Sequence, residues 1–311
     1  MKIKKIITIL GGFKEEERLK DLTTMKKSIL CVFAMVALFA GCVNNTADEE
    51  KETKEPKEES STQQGTTFIG GIAIKSTTTS TTRTSLSMVY PGGTQVDYFW
   101  EKGDKIWTAD GANGEAQITT KSATAKFRLS QRYNTPTVTL YYPGKLATSY
   151  NNVTIATQQN QYEPNTTDKL GDYGDCGTAT ATRGADGKYH FTLSHKASYI
   201  TFIPYYSYEF AEDVKVTQIK ITADEVLAGE FNFDDNGLDL TSRTTVGNPK
   251  KSITLKLKDD SDNNGFSIPT SPNHTKNAAI MVLAPGTYHN FTVEYRLYDQ
   301  KTLVYGTVSK N

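Results

Sequence analysis

Cysteine is nearly absent from this 311-residue chain: there are three, of which Cys31 and Cys42 lie close to the N-terminus and Cys176 stands alone in the body. The body therefore holds no pair that could form a disulfide. Exported proteins often lean on disulfides where their cores fall short, so this chain has to be held by burial and hydrogen bonding. It also lacks an excess of either charge, with 35 Lys and Arg against 35 Asp and Glu. A nucleic-acid partner would call for a basic stripe to neutralise phosphates, and the sequence has none. Long apolar runs are missing too: the continuous stretch Ile29 to Phe39 is too short to cross a bilayer. No amphipathic helix pattern follows it. There is no Ser nucleophile elbow, no phosphate loop and no paired-His zinc motif, so neither catalysis nor a cofactor has residue-level support.

What surrounds the short apolar run gives it meaning. Lys26-Lys27 precede it and Ala40-Gly41-Cys42 follow it. A basic head, a short apolar segment and small residues at a cut site are the requirements of an export signal. The signal predicts that the mature protein begins at Cys42, lipid-anchored to a membrane, although Phe39 holds the place where a lipoprotein signal usually has Leu. The signal would span 25–41, leaving 1–24, with the charged run Lys14 to Lys20, as an upstream start chosen in error. The other reading of 1–24, an amphipathic helix, would put Glu15, Glu16 and Glu17 ahead of a segment that needs a positive head. Without residues 1–42 the balance becomes 27 basic against 31 acidic side chains, a net charge near −4. About 270 mature residues are enough for one large or two medium domains.

From Val43 to Gly65 the chain is mostly Asn, Thr, Glu, Lys, Ser and Gln with no aromatic residue. Such a composition cannot bury enough apolar surface to offset ordering entropy, so 42–65 is a flexible tether. Its acidic run Asp48-Glu49-Glu50 also suits a surface-export tag.

From Thr66 onward Thr, Val, Ile, Tyr and Phe alternate with polar residues in short runs. Strands are expected at Thr66–Ile69, Lys105–Thr108, Ala125–Leu129, Thr137–Tyr141, Tyr189–Leu193, Lys215–Ile221 and Ser252–Leu257. Tight turns are expected at Asn113-Gly114, Asp186-Gly187, Asn236-Gly237 and Asn264-Gly265, where Gly or Asn supplies positive φ. One-sided strands joined by polar turns point to an all-β chain of antiparallel sandwiches. The periodicity lapses between Tyr162 and Tyr189, and a boundary in Gly171 to Gly187 divides the body into sandwiches at 66–187 and 188–311.

Three constellations have a bland reading that outweighs the sharp one. Asp260-Ser261-Asp262-Asn263-Asn264-Gly265 matches the first half of a calcium loop, but Ser271 stands where the bidentate Glu belongs, so a polar hairpin loop is favoured. Cys176 with His190 and His195 could suggest a thiol nucleophile. The odd spacing of the two histidines, however, turns them to opposite faces of a strand. The row Tyr206, Tyr208, Phe210 lies on one strand face, where it is sandwich core if buried and a sugar-stacking platform if exposed. Burial is the expectation.

One resemblance remains. Behind the export signal come, in order, Thr82-Arg83-Thr84, Phe99-Trp100-Glu101-Lys102-Gly103-Asp104-Lys105-Ile106, Tyr141-Tyr142-Pro143, Leu193-Ser194-His195-Lys196-Ala197 and Leu283-Ala284-Pro285-Gly286-Thr287-Tyr288. This series resembles the fimbrillin-like lipoproteins of the Bacteroidetes, subunits or accessory proteins of type V pili. The resemblance implies two transthyretin-like β-sandwiches in tandem, residence on the outer membrane at the cell surface, and a role in adhesion without catalysis. It also implies assembly with other pilin subunits by strand exchange. In the family a trypsin-like protease cuts after a basic residue near the first strand, and the C-terminal segment of another subunit fills the groove left behind. The matching cut sites here are Arg83, in the accessible Ser/Thr run, and Lys75. The alternative is that Arg83 is a solvated residue and the chain is never cut. By pattern the sequence ends in mid-strand, so either it is truncated or its last strand is Leu303 to Ser309. The remaining partners would be the membrane, through the lipid on Cys42, and a host or bacterial surface ligand. The rival function is a monomeric outer-membrane lipoprotein that binds glycans.

Overall fold

Side-chain alternation explains the local structure. Along Val214–Thr222 the apolar residues Val214, Val216, Ile219 and Ile221 are buried, with Lys215, Gln218 and Lys220 between them. The alternation slips at Thr217, where the ladder to Thr292–Asp299 skips from Val216 to Gln218. An extra residue in one strand is a β-bulge, and the Thr217 hydroxyl donates to the Arg296 carbonyl at 3.3 Å.

The computed structural model describes residues 7–9, 65–71, 84–88, 94–206, 213–242, 250–258 and 264–310. Among the described residues the chain is all-β. Its helical pieces there are single turns, Leu170–Tyr173 and His274–Asn277. Each of the seven segments expected from alternation contains a strand. Cys42, Lys75, Arg83, Tyr208, Phe210 and Asp260 to Asn263 lie outside the described residues.

An eight-stranded sheet runs in the order Asn113–Glu115, Lys105–Trp107, Thr137–Tyr142, Gly177–Arg183, Tyr189–Phe191, Thr66–Gly70, Ala125–Leu129, with Ser194–His195 also on Gly177–Arg183. It curls until its ends meet, because Ala116 bridges Phe127 and the Gln117 amide donates to the Lys126 carbonyl at 2.8 Å. Inside the curl lies a core of Phe68, Trp100, Phe127, Tyr142, Tyr189 and Phe191 with smaller apolar residues.

A second, larger core is built mostly by the later strands, and Trp107, Tyr141, Val153, Ile155 and Leu170 from the earlier half of the body also belong to it. A six-stranded sheet places Val214–Thr222 between Ser252–Leu257 and Thr292–Asp299, with Val304–Lys310 at one edge and Gln158–Gln161 at the other. Ser198–Phe202 pairs with Ala279–Leu283 on one side and, in parallel, with Ile7–Ile9 on the other. Hydrogen bonds cross position 187 of the sequence. Asn152–Ile155 pairs with Gly229–Asp234, and Gln158–Gln161 runs parallel to Ser252–Leu257.

Two of the four expected turns are turns. Gly187 and Gly237 have φ of 74° and 111° at hairpins. The other two are corrections. Asn113-Gly114 lies in a strand, and a Cβ on Gly114 would come 2.5 Å from the Arg128 carbonyl oxygen. A Cβ on Gly265 would come 2.2 Å from the Val216 carbonyl oxygen. Both glycines serve close backbone approach rather than positive φ.

Candidate functional site

The strand Thr66–Gly70 lies in a slot built by chain that comes much later in sequence. It runs parallel to Tyr189–Phe191, with Phe68 opposite Tyr189, and antiparallel to Ala125–Leu129, with Phe68 opposite Phe127. Thr66, Phe68 and Gly70 point inward; Thr67 and Ile69 are half-exposed. Phe68 is fully buried. Its ring stacks on Tyr189 at 5.1 Å between centroids and meets the edge of Tyr133 at 5.9 Å. The Thr66 hydroxyl accepts a hydrogen bond from the Tyr133 amide at 3.0 Å, and the Thr67 hydroxyl accepts one from Arg128 Nη1 at 3.3 Å.

Glycine at position 70 is a steric requirement. A Cβ there would come 2.7 Å from Phe191 Cζ and 3.0 Å from Trp100 Cζ2. Glycines also bound the strand. Gly65 and Gly71 have φ of 132° and 99°, and Cβ atoms on them would press on the Leu129 and Ala123 carbonyl oxygens. Residues 72–83, which contain Lys75 and end in Arg83, follow Gly71 in the sequence and lie outside the described residues.

The Trp-Glu-Lys-Gly-Asp segment forms one wall. Trp100 is fully buried and meets Phe127, Tyr142 and Phe191 edge to face. The turn behind it is tied twice, since the Asp104 amide donates to the Glu101 carbonyl at 3.0 Å and the Glu101 amide donates to Asp104 Oδ2 at 2.7 Å. Tyr142 then donates its hydroxyl to Asp104 Oδ1 at 2.7 Å. Burial pushes the Glu101 carboxyl up, but Lys145 Nζ at 2.9 Å and the Lys169 amide at 3.0 Å outweigh it and hold the group below the usual range.

The histidines end in different surroundings. His190 faces Asp186 at the hairpin, 3.1 Å away. His195 is buried with its Nδ1 2.5 Å from Asp175 Oδ1, and Tyr199 donates its hydroxyl to the same oxygen. The Tyr98 ring lies 4.1 Å from the His195 ring. Burial, and after it the Asp175 charge, drives the Tyr199 hydroxyl well above its ordinary value. With His195 and Asp175 at 7% and 1% exposure, this cluster is sealed inside the fold. Cys176 is buried beside it in sequence, and its carbonyl accepts from the Lys196 amide at 2.7 Å.

Of the row Tyr206, Tyr208, Phe210, the described member Tyr206 is buried, and with its buried neighbour Tyr205 it lies in irregular chain rather than in a strand. Among the described residues no group of three or more His, Cys, Asp or Glu could hold a metal ion, and no helix is long and apolar enough to cross a membrane. Sequence reasoning missed Tyr133, which sits in an irregular stretch with no periodicity to mark it, and the buried pair Gln159 and Gln161, whose polar side chains give no signal of burial. Compared with protein-family models, curated proteins and solved structures, the chain matches none.

Proposed function

We propose that this protein is a lipid-anchored, fimbrillin-like protein of the outer-membrane surface, a structural or accessory pilus subunit that assembles by strand exchange and serves adhesion. Its body would be two transthyretin-like sandwiches, acylated at Cys42 and cut after Arg83 or Lys75. It would act without catalysis or a cofactor and without nucleic acid. The observation that carries the reading is the placement of Thr66–Gly70. A strand held between two neighbours, with a fully buried Phe68 and the basic residues Lys75 and Arg83 a few positions behind it in the sequence, becomes detachable by a single cut. Its loss would leave two unpaired strand edges over an apolar slot, a surface that a complementary strand fills.

The test is the mature N-terminus, determined by mass spectrometry on protein recovered from the cell surface, together with electrophoresis after mild heating. A discrete terminus at Ser76 or Thr84 and a heat-resistant ladder of high-mass species are the expected results. Acylated Cys42 in nearly all molecules, with no ladder, would overturn the reading in favour of the monomeric glycan binder.

A further inference from the structure

Adhesion needs a surface on which a ligand can lie, and the outer face of the six-stranded sheet has the make-up of one. This step rests on the adhesive part of the reading above and is independent of strand exchange. Along each strand the residues between those buried in the larger core are half-exposed or exposed on this outer face. Register aligns them in rows. Asn160, Lys256, Gln218, Arg296 and Thr307 form one row across the five strands. The next row is Gln158, Thr254, Lys220, Glu294 and Ser309. The bulge at Thr217 brings Lys215 to the same face as Gln218 and Lys220, although their numbers differ in parity.

Charge sets this face apart from the rest of the molecule. Lys215, Lys220, Lys256 and Arg296 share it with a single acid, Glu294, in a mature chain whose net charge is near −4. Positive charge gathered on one face of an acidic protein draws a polyanion to that face. Among the described residues Lys220 and Lys256 make no ion pair. Lys215 donates to the Ser267 hydroxyl at 2.9 Å, and Arg296 lies over the Tyr305 ring at 4.4 Å, which holds its guanidinium on the face. Neighbouring strands lie about 4.8 Å apart, so the backbones at Lys256 and Arg296, with one strand between them, stand about 10 Å apart.

We infer that this face binds an acidic polysaccharide laid across the strands, with its carboxylates or sulfates on Lys256, Lys220 and Arg296 and its hydroxyls on the polar side chains between them. Asn160, Gln218, Thr254 and Thr307 each donate and accept hydrogen bonds, as sugar hydroxyls do. A flat face suits a chain, whereas a small ligand takes a concave pocket. Nucleic acid, with a phosphate at every nucleotide, would ask for denser cations. A lipid surface would ask for apolar side chains among the cations, where the rows hold amides and hydroxyls.

The experiment titrates the full chain, purified in detergent, with fluorescently labelled polygalacturonate, heparin, neutral dextran and duplex DNA at low and at physiological salt. Binding of polygalacturonate or heparin, the first reporting carboxylate and the second sulfate, with no binding of dextran, is the expected result. The double variant Lys220→Gln, Lys256→Gln should weaken that binding by about fivefold or more, the scale of two exposed charge pairs. Glu294→Gln should tighten it. Lys102→Gln with Arg132→Gln makes the same change of charge at exposed positions outside this face and should leave it unchanged. Equal losses from the two double variants would show a response to net charge and overturn the assignment of the face. DNA held as tightly as either polysaccharide would overturn the polysaccharide as its ligand. If neither acidic polysaccharide binds, the inference falls, while the pilus reading is decided separately by the mature N-terminus and the ladder.

Discussion

Gln159 gives Val282 both of the hydrogen bonds that a neighbouring strand would give. Its Oε1 accepts from the Val282 amide at 3.0 Å and its Nε2 donates to the Val282 carbonyl at 2.8 Å. Gln161 repeats the arrangement two residues on, accepting from the Ile280 amide at 2.7 Å and donating to the Ala278 carbonyl at 3.0 Å. Two side chains thus close the edge of Ala279–Leu283 opposite its partner Ser198–Phe202. An open edge there would be a template for unwanted pairing.

Gln159→Leu leaves a buried amide and a buried carbonyl without partners, at about 1–3 kcal/mol for each group. A loss of about 3 kcal/mol in urea-determined stability is expected. Gln158→Leu, on the exposed side of the same strand, should change little. Equal losses from the two would mean that the side-chain ladder does not hold this edge.

Asp175 accepts from both His195 and Tyr199, so replacing it strands two buried groups at once. Asp175→Ala should cost about 3–5 kcal/mol, and Tyr199→Phe, which removes one donor, about 1 kcal/mol. Thermal unfolding of the two variants gives the order, and the reverse order would show that the carboxylate is not the hub.

Stability should fall in acid through Glu101. Its carboxyl is held below 4.5 in the folded protein, chiefly by the Lys145 hydrogen bond acting against burial. A depressed folded value contributes stability that is present above the unfolded value and is lost as pH falls through the folded one. Lys145→Met should therefore flatten the decline below about pH 4.5, as urea unfolding at stepped pH would register. An unchanged slope would rule out this pair as its source.

His289 titrates in the opposite sense. Its Nδ1 lies 2.6 Å from Glu225 Oε1, and that bond raises the imidazole above 6.5. A raised folded value stabilises below the unfolded value and ceases to do so as pH rises through the folded one. NMR titration should find His289 above 6.5 and Glu225→Gln should bring it back toward 6.5; a titration unmoved by that substitution would refute the pairing.

Two glycines separate close approach from turn geometry. Gly114→Ala must push back the Arg128 carbonyl and the Leu129 side chain, at about 3 kcal/mol on the scale of overpacking. Gly187→Ala at φ 74° meets open space and should cost about 1 kcal/mol for its left-handed backbone. Denaturant midpoints compare them, and a larger loss at Gly187 would mean that backbone conformation outweighs contact.

Much of this protein could be read from its order of residues alone. Alternation within five to nine residues decided that Ala125–Leu129, Val214–Thr222 and Ser252–Leu257 are strands and which of their faces are buried, because a strand's period of two is a local property of the backbone. The same local chemistry marked Asp186-Gly187 and Asn236-Gly237 as turns. Pairing is another matter. That Thr66–Gly70 lies parallel to Tyr189–Phe191, that Gly114 and Gly70 are glycines because a carbonyl and two aromatic rings crowd them, and that Gln159 is buried against Val282 all depend on segments more than a dozen residues away. Such contacts form only when loops close and cores pack. Strand character is therefore written in each segment by itself, while the slot and the closed edges exist only once distant segments share one core.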